Sequence, residues 1–155
     1  MSNIPPPTAR RKDKSDLQEV VKALYSYTQQ REDELTFVQE LVANGVSVNG
    51  LDMAKNTPLH WAARGGHAEV VKILLEKNAA VNSQNKMGDT PLHLAAYNGN
   101  VSTVIHLLNY PGIDPTIKNK DGSKPSDLSK NDDVGALLLQ FGASNNVVVD
   151  DSDDD

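Results

Sequence analysis

Apolar positions recur along this chain in short bursts at helical spacing, and each burst ends in a polar or glycine stop. Leu17, Val20, Val21, Leu24 and Thr28 share one such face, and Ser15 with Gln18 has the spacing of a capping box. Arg31-Glu32-Asp33-Glu34 reads as a polar break. Leu35, Phe37, Val38, Leu41 and Val42 build a second face, closed by Asn44-Gly45. Val70, Val71, Leu74 and Leu75 form a third, and Val104, Leu107 and Leu108 a fourth. Val134, Leu137, Leu138 and Leu139 supply a last, shortened helix with an expected stop near Phe141-Gly142. The pattern predicts an all-α chain of short helices.

Between these faces the chain repeats itself. Thr57-Pro58-Leu59-His60 returns as Thr90-Pro91-Leu92-His93, thirty-three positions later, and Val48-Asn49 returns as Val81-Asn82 at the same phase. Proline at the second place pre-sets the first helical turn, where no N–H is needed. Ala62-Ala63 and Ala95-Ala96 are small, which lets neighbouring helices approach closely. Gly66 and Gly99 can take positive φ in the turn between helices. One full repeat therefore reads hairpin, helix, turn, helix. The segment before Val48 supplies only the second half of a repeat. The segment after Gly112 is worn: one residue is inserted around Tyr110-Pro111-Gly112, Lys124 stands where Thr should, and Ser126 where Leu should.

This period and its Thr-Pro-Leu-His phase resemble the ankyrin repeat. The resemblance implies a solenoid of helix-turn-helix pairs with β-hairpin loops, opened by a half repeat and closed by a degenerate capping repeat. Such stacks present an extended concave surface rather than a catalytic pocket. The expected boundaries are a Pro-rich basic leader over 1–14, disordered; a capping helix over 15–34; the repeats over 35–143; and an acidic disordered tail over 144–155.

Composition narrows the function classes. Hydrophobic content of 38% and aromatic content of 5% suit thin layers better than one deep core. No cysteine is present, so disulfides, thiol nucleophiles and cysteine-based zinc sites are excluded. The net charge of −6 argues against general nucleic-acid binding. It is unevenly placed, with Arg10, Arg11, Lys12 and Lys14 at one end and Asp150, Asp151, Asp153, Asp154 and Asp155 at the other. The opening residues lack the apolar run of a secretory signal, and no stretch approaches membrane-spanning length. Pro5-Pro6-Pro7 favours polyproline II, yet no P-x-x-P motif accompanies it.

Candidate chemistry is sparse. His60 and His93 sit a whole repeat apart without a carboxylate pair, so hydrogen bonding between repeats is favoured over metal ligation. His67 and His106 receive no role. Trp61 replaces Leu94 at the equivalent place and is expected as core filler rather than a contact residue. Arg64 and Tyr97 follow the paired alanines, near the concave side, and both types are enriched in binding hot spots. Met53, Lys55, Lys86, Met87 and Lys120 lie on the hairpin tips, where polar adaptability and methionine suit a malleable contact surface. Ser152 among aspartates has the setting of an acidophilic kinase site. No phosphate loop, nucleophile elbow or metalloprotease helix is present, and no cofactor is expected.

Two stretches, Val48 to His67 and Gln84 to His93, are similar to the osteoclast-stimulating factor 1 family. Members pair an SH3 domain with ankyrin repeats and an acidic tail, as small intracellular adaptors. Ala23-Leu24-Tyr25-Ser26-Tyr27 with Asp33-Glu34-Leu35-Thr36-Phe37 resembles the opening of that SH3 domain. The likeness stops near Glu40, and about 20 residues cannot close a five-stranded barrel. The resemblance thus implies a shortened form in which Tyr25 and Tyr27 are vestigial groove residues and proline-rich ligand binding is lost. The expectation is a monomeric cytoplasmic adaptor, without catalysis, that binds another protein. The alternative is an ankyrin-type inhibitor that occludes a kinase or a transcription factor.

Overall fold

The computed structural model describes residues 31–45 and 47–153. The helices there are α1 Arg31–Ala43, α2 Pro58–Gly65, α3 Ala68–Glu76, α4 Pro91–Asn98, α5 Val101–Leu108, α6 Pro125–Leu128 and α7 Asp132–Asp153. They stack in two rows. The inner row is α2 on α4 on α6, and the outer row is α1 on α3 on α5 on α7. The core runs between the rows, with Leu41, Leu59, Leu74, Leu92 and Leu107 fully buried. Each contributes about 2 kcal/mol on burial.

Local chemistry explains why the inner helices start where they do. Thr57 is extended (φ −91°, ψ 168°) and its hydroxyl accepts the His60 N–H. His60 reciprocates: its Nδ1 accepts the Thr57 backbone N–H at 3.0 Å and lies 2.9 Å from the Thr57 hydroxyl. Histidine thus fills the place that Glu or Gln takes in a capping box. Thr90 and His93 repeat the arrangement at 3.0 and 2.9 Å.

The helices end by left-handed glycine. Gly66 (φ 72°) lets its own N–H reach Ala63 O and the His67 N–H reach Ala62 O. A Cβ at Gly66 would come within 2.8 Å of the Asn100 side chain. That closeness is used, because Asn100 Nδ2 donates to Ala63 O and Asn98 Nδ2 to Arg64 O. Side chains of one repeat therefore satisfy the orphan carbonyls of the helix before it.

The structure departs from expectation in three places. Arg31 to Glu34, expected as a break, is helical. Arg and Glu are good helix formers, so a polar run can interrupt an apolar face without interrupting the backbone. The last helix does not stop at Gly142. That residue keeps negative φ, unlike Gly45 at φ 89°, and α7 continues to Asp153, so the expected tail boundary at 144 falls inside it. The hairpin loops are closed turns, and no strand forms among the described residues. The 1–14 leader, the capping helix from Ser15, Tyr25, Tyr27 and the Ser152 side chain lie outside the described residues.

Candidate protein-binding surface

Three loops, one per repeat, share one construction. Asp52 N–H bonds Asn56 O, Asn85 N–H bonds Asp89 O, and Asn119 N–H bonds Ser123 O, at 2.9–3.0 Å. In each loop the first side chain also accepts two backbone N–H groups: Asp52 Oδ1 from Ala54 and Asn56, Asn85 Oδ1 from Met87 and Asp89, and Asn119 Oδ1 from Asp121 and Ser123. The turn is built by its own Asx side chain.

The loops are then joined to each other. Lys86 N–H donates to Ala54 O and Lys120 N–H to Met87 O, both at 3.0 Å. Asn85 Nδ2 donates to Asn56 Oδ1, and Asn119 Nδ2 to Asp89 Oδ1, both at 2.9 Å. Beneath them His60 Nε2 lies 2.8 Å from Asp89 O, and His93 Nε2 lies 2.8 Å from Ser123 O. Nδ1 of His60 accepts a backbone N–H, so Nε2 carries the proton in the neutral ring. Burial pushes the His60 pKa down, against the raising influence of the Asp89 carbonyl and nearby carboxylates. The expected inter-repeat role of both histidines is what the geometry shows.

A second stitch lies at the other end of each loop. Asn49 Oδ1 accepts the Ala80 N–H at 2.8 Å, and Asn82 Oδ1 accepts the Asp114 N–H at 3.0 Å while its Nδ2 donates to Gly112 O. Sequence reasoning assigned nothing to these asparagines. Their constant phase, Asn49 with Asn82 and Asn85 with Asn119, was the available signal.

Where the loops meet the inner helices, a cleft of about 220 Å³ opens. Ala54, Trp61, Met87 and Leu94 supply its apolar wall, with Arg64 and Lys86 beside them. Of the expected contact residues, then, Arg64, Lys86 and Met87 come together. Trp61 is a correction. It packs against the core but is only half-buried: its indole N–H donates to Asp52 Oδ2 at 2.9 Å and its ring also lines the cleft. Burial pushes the Asp52 carboxyl up, but bonds from the Asn56 N–H, the indole and the Ala54 N–H prevail and hold it below the usual carboxylate value.

The other expected residues are dispersed. Tyr97 is 48% exposed on α4, with Lys130 Nζ 4.0 Å over its ring. The Lys130 ammonium holds the Tyr97 phenol below its ordinary pKa. Met53 is 92% exposed at the first tip and outside the cleft. Lys55 is exposed with φ 63°, and Lys120 is exposed at the third tip. No group of three or more His, Asp or Glu that could hold a metal occurs among the described residues. No helix among them is long and apolar enough to cross a membrane.

Comparison with known proteins agrees with this construction. Osteoclast-stimulating factor 1 of Monopterus albus is 51% identical over 43 residues, which is 28% of this chain and 20% of that protein. The Danio rerio protein of the same name gives the same figures. Acyl-CoA-binding domain-containing protein 1 of Arabidopsis thaliana is 35% identical over 66 residues, 43% of this chain and 19% of that protein. The chain therefore matches about a fifth of the length of these relatives. The profile of ankyrin repeats (three copies) matches residues 19–119. Since that match covers most of the sequence, and the loops and Thr-Pro-Leu-His helices are joined repeat to repeat, the chain belongs to the ankyrin-repeat family.

Proposed function

We infer that this chain is a signalling adaptor that holds a partner protein against its concave side, formed by the hairpin tips and the inner helices. The observation that carries the reading is the cleft in which Arg64, Lys86, Met87 and Trp61 converge. It pairs an apolar wall with cations on a frame that loop-to-loop bonds already hold rigid, so little ordering entropy is lost on binding. Tyr97, Met53, Lys55 and Lys120 extend the contact along the loops and the inner row. The reading is non-catalytic. His60 and His93 are committed to bonds between repeats, and Asp89, the carboxylate in the cleft lining, accepts from Asn119, so these groups serve the stack. The similarity to proteins named osteoclast-stimulating factor 1 supports the adaptor reading, and a monomer in the cytoplasm that does not bind proline-rich ligands belongs to the same proposal.

Crosslinking of the full chain in cell extract, followed by mass spectrometry, tests the surface. Crosslinks should map to Lys86, Lys120 and Lys130. A map confined to Lys72 and Lys77 on the outer row would reject it. A functional assay of the captured partner then separates an adaptor, which leaves activity unchanged, from an inhibitor.

A further inference from the structure

The chain carries a net charge of −6, yet two cations line its cleft. Arg64 and Lys86 flank the opening, and Lys130 stands over Tyr97 on the next inner helix. Two carboxylates lie close by, Asp89 in the cleft lining itself and Asp52 beside it, and both take part in hydrogen bonds within the molecule. Asp52 accepts from Ala54, Asn56 and Trp61, and Asp89 accepts from Asn119. With those carboxylates engaged, Arg64 and Lys86 are the cations that border an apolar wall of Trp61, Met87 and Leu94.

We propose that the cleft docks an acidic protein segment in which an Asp or Glu lies next to a Leu- or Phe-sized side chain. The volume of about 220 Å³ holds one such side chain. Its neighbouring carboxylate then meets the Arg64 guanidinium or the Lys86 ammonium at the rim, where charge complementarity sets register and rate of encounter. A second carboxylate further along reaches Lys130. A nucleic acid fits poorly, because an apolar recess of this size takes one side chain and not a continuous row of phosphates. This rests on the adaptor reading and specifies the chemistry of its partner.

The test is selection of a random twelve-residue display library on the full chain, followed by titration of the selected peptides. The single tryptophan, Trp61, lies in the cleft and reports occupancy by its emission. Peptides with Asp or Glu beside a large apolar residue should be enriched, should change that emission, and should weaken at high salt. Arg64→Glu and Lys86→Glu should each lower their affinity about tenfold, while Lys72→Glu, an equal charge reversal on the outer row, should not. Circular dichroism and urea midpoints of the variants separate lost binding from lost fold. Enrichment of neutral or basic peptides, failure to select any binder, or acidic binders indifferent to both cleft charge reversals would overturn the proposal. So would binding of phosphatidylserine vesicles in place of peptides. If the native partner still crosslinks to Lys86 and Lys120 after such a result, the surface reading stands and only the acidic chemistry fails.

Discussion

The Trp61 indole donates to Asp52 Oδ2 at 2.9 Å, and this bond occupies the end of a ladder that asparagines form elsewhere. Asn85 and Asn119 each have an amide that donates to the preceding loop, at Asn56 and Asp89. The Asp52 side chain, the first of the three, has no N–H to offer and takes one from Trp61 instead. Asp52→Asn would set an amide NH2 against the indole N–H. Both Oδ1 bonds survive, so the loss should be modest, about 1–2 kcal/mol. Trp61→Leu, the residue of the next repeat, removes the conflicting donor. A double-mutant cycle by urea denaturation should show that Asp52→Asn costs less in the Trp61→Leu background. Additive costs would mean that the bond does not couple the two.

Acid should weaken the stack through His60. Its folded pKa lies below its ordinary value of 6.5, because burial disfavours the imidazolium. In the window below 6.5 the unfolded chain binds a proton that the folded chain refuses, so stability falls as pH falls toward the folded pKa. The ring explains the refusal: Nδ1 accepts the Thr57 N–H and has no room for a proton of its own. Urea midpoints measured from pH 7.5 down to about 5 should decline. In His60→Gln, which is itself destabilised by about 2–3 kcal/mol, the decline should be shallower.

One loop position should respond in opposite directions in two repeats. Lys55 and Gly88 occupy the same place, with φ 63° and 81°. A left-handed lysine is strained, so Lys55→Gly should raise stability by about 0.5–1 kcal/mol after the unfolded-state entropy of glycine is subtracted. At Gly88 a Cβ would meet Lys120 N at 2.7 Å, where the Lys120 N–H bonds Met87 O. Gly88→Ala should therefore cost about 2 kcal/mol or more. Equal and opposite effects of similar size would show that φ alone governs the site.

Repeat coupling should also be measurable at Gly66. Alanine there must both hold φ 72° and displace Asn100, whose amide serves Ala63 O. Gly66→Ala should lower stability by about 1–3 kcal/mol and speed amide exchange near Asn98 and Asn100. Asn100→Gly should relieve the steric part and keep the backbone part. If the two changes proved independent, the contact between repeats would carry no energy.

Sequence alone determined the two-row helical stack, its phase and its core. Thr-Pro-Leu-His, paired alanines and glycine stops act within one or two turns of backbone, and the Val and Leu stripes declare which face is inward. It also marked His60 and His93 as links between neighbours. Only the tertiary structure decided that Trp61, at the edge of the core, bonds Asp52, and that Arg64, Lys86 and Met87 share a cleft while Met53 stands apart. Those outcomes depend on how one loop's donors lie over the acceptors of the loop before it. That relation spans about thirty residues and leaves no local periodic trace, except asparagines recurring at one phase.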